Sequence, residues 1–201
     1  MGLNYSYILF FYREHVWDAL HGIAQVSNPH QPPTKIIFPD HQLSIPLVSW
    51  SSNNNEMHHD DRKLVFEVVM YFPAEDEEIL KYNREMWLAG ASLSNPDDNQ
   101  IAIGNINLYV YLNDRNFSSQ EYVLFDFSAV STTMSHLFEN SPSIQKGFVN
   151  LLEGNNGVSG ALDRELDGGR LFWFRDAVYN LDISDAYMTP LEIEELLNNR
   201  I

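Results

Sequence analysis

Apolar side chains recur along this chain with two spacings, and stretches of each kind follow one another. From Asn4 to Tyr12 the chain is aromatic and rich in β-formers, which predicts a strand. Directly after it Val16, Leu20, Ile23 and Ala24 recur at helical spacing, the stripe of an amphipathic helix. Three prolines in five residues, Pro29, Pro32 and Pro33, then force a loop, because proline fixes φ and lacks the N–H donor. Lys35–Phe38 and Leu43–Leu47 flank Pro39-Asp40-His41-Gln42, which predicts a hairpin with a four-residue turn.

Residues 49–61 are polar and read as a mobile loop, whereas Lys63–Phe72 reads as a long buried strand ended by Pro73. Glu75, Asp76, Glu77 and Glu78 stand ahead of Ile79 and Leu80, an acidic first turn that suits the positive end of a helix dipole. A second polar loop covers Ser92–Gln100. Ile106, Leu108, Val110 and Leu112 alternate with Asn107, Tyr109 and Tyr111, so that stretch is a strand. A turn at Asn113–Asn116 and an apolar run Tyr122–Phe127 complete an antiparallel hairpin over residues 101–128.

Ser131–Glu139 and Pro142–Leu152 read as helices, the second with Ser141 as N-cap and proline at its first position. Gly154-Asn155-Asn156-Gly157 closes that pair, and Leu171–Phe174 is a short strand candidate. Thr189-Pro190-Leu191-Glu192 has the form of a capping box, opening a last helix with Ile193, Leu196 and Leu197 on its stripe. The order β-α-β-β-β-α-β-β-α-α-β-α has more hairpins than βαβ units. It predicts a single α+β domain over residues 1–201, a mixed, largely antiparallel sheet with helices packed on one face.

Length agrees, since 201 residues suit one domain and 44% apolar content is ample for a core. The chain contains no cysteine, which removes disulfides, thiolate metal sites and a Cys nucleophile. No apolar run approaches the roughly 20 residues that span a bilayer, and the first run precedes any basic residue, so neither a membrane span nor a signal peptide is expected. The expected location is cytoplasmic.

Charge alters the picture most. The formal net charge is −16, and the acid lies in two blocks, −7 over residues 56–99 and −6 over residues 153–201. Such a balance disfavours nucleic acid, whose affinity rests on Lys and Arg neutralising phosphates, and anionic membranes for the same reason. It favours a basic protein surface as partner.

Candidate chemistry is sparse. His58, His59, Asp60 and Asp61 form the densest set of metal-ligand types, although adjacent residues seldom converge on one ion and no H-x-H or H-x-x-x-H spacing occurs. His15 and His21 do not share a helix face. His136, with Ser131 and neighbouring hydroxyls, could form a nucleophilic arrangement with Asp126 or Glu139, but no G-x-S-x-G motif accompanies it. Asp163, Glu165 and Asp167 alternate; in an extended segment all three carboxylates face one way and suit Ca²⁺ or a basic partner. Asp97-Asp98 lacks the rest of a calcium loop, and the glycines at 154, 157 and 160 make no phosphate-binding fingerprint.

Two functions follow as expectations. The first is a non-catalytic binding module of inhibitor, immunity or adaptor type, without a cofactor, acting through Glu75–Glu78 and through Asp163, Glu165 and Asp167. The second is a metal-assisted hydrolase using the His58–Asp61 cluster or a site around His136 and Ser131.

Overall fold

The computed structural model describes residues 2–27, 32–49, 55–91, 93–94, 99–114, 116–117 and 119–199. The elements run β1 (Ser6–Tyr12), α1 (Val16–Gln25), β2 (Thr34–Ile37), β3 (Gln42–Ile45), β4 (Val48–Ser49), β5 (Glu56–His58), β6 (Leu64–Pro73) and α2 (Glu77–Leu88). They continue with β7 (Gln100–Tyr111), β8 (Tyr122–Ser128), α3 (Thr132–Asn140), α4 (Pro142–Gly154), β9 (Gly157–Asp163), β10 (Gly169–Phe174), β11 (Ala177–Ile183) and α5 (Pro190–Asn198).

Eight strands form one sheet in the order β11-β10-β9-β1-β8-β7-β6-β4, and every neighbouring pair is antiparallel. The meander β6-β7-β8 and the meander β9-β10-β11 are joined by β1, the first strand of the chain, inserted between β8 and β9. A central strand with cover on both faces must be apolar on both. In β1, Tyr7, Leu9 and Phe11 point to one side and Ile8 and Phe10 to the other, and all five are buried. A smaller sheet, β3-β2-β5, packs its Ile36, Ile45 and Met57 into the same core as α1.

The α+β architecture expected from the residue pattern is the one observed. Helices α1–α4 cover one face of the large sheet, where Tyr7 stacks on Phe148 of α4 at 4.1 Å and Phe72, Phe127 and Phe138 close around that ring. Helix α5 lies over the other face, with Ile193 packed among Ile8, Phe10, Leu124 and Leu171. One-sided cover therefore holds for four helices and not for the fifth. Strands β1, β8, β9 and β10 carry apolar residues outward as well, and that surface has to be removed from water too.

Both hairpins fall where expected: Ile37 pairs with Gln42 across a four-residue turn, and Leu108 pairs with Phe127. The caps at Ser141 and Thr189 do as well, each accepting from a first-turn amide of its helix with Glu192 completing the capping box, and Ser131 caps α3 in the same way. Residues 49–61, read as loop, instead contain β5, which pairs in parallel with β2. Main-chain bonding makes this strand, and Met57 is its single buried side chain.

Strand β9 escapes a search for apolar runs because it is built from small residues. A Cβ at Gly160 would lie 2.5 Å from Phe172 and 2.7 Å from Leu152, so the close approach of α4 and β10 requires glycine there. Residues 163–167 are not extended: β9 ends at Asp163, Glu165–Asp167 is a 3₁₀ turn with Glu165 at φ 56°, and the chain reverses so that Gly169 pairs with Asp163. The three carboxylates therefore share no strand face. Among the described residues no helix is long and apolar enough to cross a membrane.

Candidate functional site

Two sequence candidates distant in the chain, the acidic start of α2 and the His136 region of α3, lie side by side. Asp76 caps α2, its Oδ1 accepting from the Ile79 amide at 2.9 Å. Its Oδ2 reaches the next helix, accepting from the Ser143 amide at 2.9 Å and the Ser141 hydroxyl at 2.8 Å. Burial pushes this carboxyl up, but the hydrogen bonds from Ser143, Ile79 and Ser141 outweigh burial and hold it below the ordinary Asp value.

Beyond its cap, α2 is lightly attached, for only Ile79 and Asn83 are buried in it. Helix α3 is more firmly held. Ser131 caps it through the Met134 amide, and Ser135 Oγ accepts from the Tyr5 amide and donates to the Leu3 carbonyl.

Between α2 and α3 run two adjoining cavities of about 240 and 360 Å³, both bordered by Tyr82. The first is lined by Met86, Leu93, Val130 and Met134 together with Asn105 and Ser131, and Leu93 lies over Gly104, where a Cβ would sit 2.8 Å from it. Charged and polar groups rim the second: Glu78, Lys81, Glu85, Thr133 and His136. At the end of α2, next to Met86 in the chain, Trp87 is 48% and Leu88 86% exposed. Glu75, outside the groove, pairs with Lys146 at 2.8 Å, and Glu77 is exposed.

The other sequence candidates do not converge. His136 is exposed with no side-chain partner among the described residues, and the Ser131 hydroxyl is occupied as a cap acceptor. Asp126 lies on the opposite face of the sheet from α3 and cannot act with His136, because successive strand residues point to opposite sides. Asp61 accepts from the His58 amide at 2.9 Å, while the His59 ring stacks on Phe38 at 5.1 Å and its Nδ1 meets the Ile37 carbonyl at 3.1 Å. Asp60 is exposed in the turn between them. Asp163 accepts from the Glu165 amide, Glu165 accepts from the Asn4 amide, and Asp167 is exposed. Asp97-Asp98 lies outside the described residues. Among those described, no three His, Asp or Glu side chains gather as a metal site.

One polar constellation was not singled out from the sequence. Asp126, 5% exposed within β8, accepts from Ser128 Oγ at 2.7 Å and from the Tyr187 hydroxyl at 3.2 Å, and Ser128 meets Ser6 Oγ at 2.8 Å. Burial raises the Asp126 pKa, only partly offset by these hydrogen bonds. Burial and the neighbouring Asp126 carboxylate raise the pKa of Tyr187 in turn, and burial pushes that of Tyr111 up to about 12. The available signal was an Asp inside the apolar run Leu124-Phe125-Asp126-Phe127, for a lone acid in a buried strand needs donors around it.

Comparison of the chain with protein-family models, with curated proteins and with solved structures finds no match to any of them.

Proposed function

We propose that this protein is a non-catalytic binding module whose α2–α3 groove receives a basic, partly apolar segment of a partner protein. The carrying observation is the composition of the groove: Met86, Leu93, Val130 and Met134 along one end, with Glu78 and Glu85 on the rim of the other. Apolar contact in such a groove supplies affinity, and the rim acids supply register and selection against acidic partners. A net charge of −16 speeds encounter with a cationic partner. Reading His136 and Ser131 as catalytic receives no support from their placement, one exposed with no side-chain partner among the described residues and the other engaged as a cap.

The test uses a synthetic amphipathic peptide with Leu on one face and Lys on the other, titrated while the emission of Trp87 is followed against a Trp87→Phe control. Binding is expected to weaken on raising salt, and about tenfold in the double variant Glu78→Lys/Glu85→Lys, since each rim pair contributes up to about 1 kcal/mol. Salt-independent binding, or equal binding by the double variant, overturns the reading.

A further inference from the structure

A second cleft lies away from the α2–α3 groove, where the C-terminal ends of α1 and α4 meet β6 and β7. It has two lobes of about 320 and 360 Å³ that share Gln25, Val26, Tyr71 and Gln100. In a chain with 28 acids and 12 Lys or Arg, no Asp, Glu, Lys, Arg or His among the described residues lines either lobe. Besides the hydroxyls of Tyr71 and Ser27, the polar side chains of the described lining are carboxamides. Those of Gln25, Gln100 and Asn150 have no hydrogen-bond partner among the described residues, whereas Asn155 donates to the Leu151 carbonyl at 2.8 Å and shapes the wall beside Gly22.

The cleft is held open by secure surroundings. Ser27 Oγ donates to the Ile23 carbonyl at 2.7 Å to close α1, and the Tyr71 amide donates to the Val26 carbonyl at 2.8 Å to pin that end to β6. A Cβ at Gly154 meets nothing within 4 Å, so this last residue of α4 borders open space.

We infer that this cleft is a binding site for a neutral polyhydroxylated ligand, a saccharide unit, held by the carboxamides of Gln25, Gln100 and Asn150. A carboxamide donates and accepts, as a sugar hydroxyl does, so each of the three matches a hydroxyl in either sense. An ionic ligand would leave water with no counter-charge among the described lining residues. Anions are further disfavoured by the two helix C-termini, which carry partial negative charge. Val26 and Tyr71 supply apolar surface for the C–H face of a pyranose, and the lobe volumes lie in the range of about 300–1,000 Å³ usual for small-ligand sites.

The test is an NMR titration that follows the side-chain amide signals of Gln25, Gln100 and Asn150. The neutral disaccharides maltose, cellobiose and lactose are the probes, with glucuronate and glucosamine as charged comparators. The expected result is a saturable shift of these signals at millimolar concentration with at least one neutral disaccharide, and none with glucuronate. Gln25→Ala/Gln100→Ala changes two exposed side chains and is expected to weaken binding about tenfold or more, through the hydrogen bonds lost. Gly154→Leu, extending into open space, is expected to reduce binding with the fold intact. No saturable shift with any neutral probe, equal shifts with the charged comparators, or unchanged affinity in both variants overturns the inference.

Discussion

The Tyr187 hydroxyl donates to Asp126 Oδ2 across 3.2 Å, tying the segment that leads into α5 to the only charged side chain buried among the described residues. The pair joins the outer layer to the centre of the sheet, because Asp126 belongs to β8 and Ser128, which also donates to it, faces Ser6 of β1. The same pair carries a pH dependence.

A carboxyl whose pKa is raised in the folded state contributes stability below the unfolded value, 3.8 for Asp, and loses it as pH rises through the raised value. Asp126→Asn removes that loss while keeping an acceptor for Ser128. Relative to the parent, the variant is expected to gain stability from mildly acidic to neutral pH, as read by urea unfolding across that range. Tyr187→Phe is expected to cost about 1–3 kcal/mol near neutral pH, because it leaves a buried carboxylate short of a donor. Parallel pH profiles for parent and Asp126→Asn would sink this account.

Asp76 has the opposite sign. Its pKa is depressed, so its contribution is present above the unfolded value and is lost as pH falls through the lower folded value. Because one carboxylate serves the first turns of α2 and α4, Asp76→Ala is expected to cost about 2–4 kcal/mol, two caps at about 1–2 each. Neighbouring Glu77→Gln, on an exposed side chain, is expected to stay within about 0.5 kcal/mol. Acid unfolding of the Asp76 variant against the parent checks the sign.

Two glycines of α4 are expected to respond oppositely to alanine. A Cβ at Gly147 would lie 2.6 Å from the Phe72 ring, so Gly147→Ala is expected to cost about 1–3 kcal/mol through overpacking. Gly154→Ala meets no atom and is expected to be neutral or to gain up to about 1 kcal/mol from the better helix former. Thermal unfolding of both variants and of Phe148→Ala, expected to cost about 3–5 kcal/mol, ranks these effects.

The imidazoles near β5 act here through packing. Phe38 stacks against His41 at 4.3 Å and against His59 at 5.1 Å. His59→Ala is therefore expected to cost about 0.5–1.5 kcal/mol, and treatment with a chelator to leave the unfolding temperature unchanged. A lower unfolding temperature after chelation would restore the metal reading of His58–Asp61.

Elements with a strong local rhythm could be read directly. The α1 stripe, the β7 alternation and the caps at Ser131, Ser141 and Thr189 each rest on interactions within a few residues. Strand β11 also carried period two, with Ala177, Tyr179, Leu181 and Ile183 on one side, and a search for apolar runs passed over it. β5 and β9 left little trace, one made by main-chain pairing to β2 and the other by glycines whose purpose is a close neighbour.

Spacing and capping chemistry thus specified where most helices and hairpins form, and therefore the α+β class, because both act over one or two turns of chain. Long-range packing assigned each side chain its neighbours: β1 between β8 and β9, α5 over the outer face, His136 apart from Asp126, and Glu78 beside His136. Those relations join residues tens of positions apart, and they follow from which apolar faces must leave water together, a condition no short window of sequence contains.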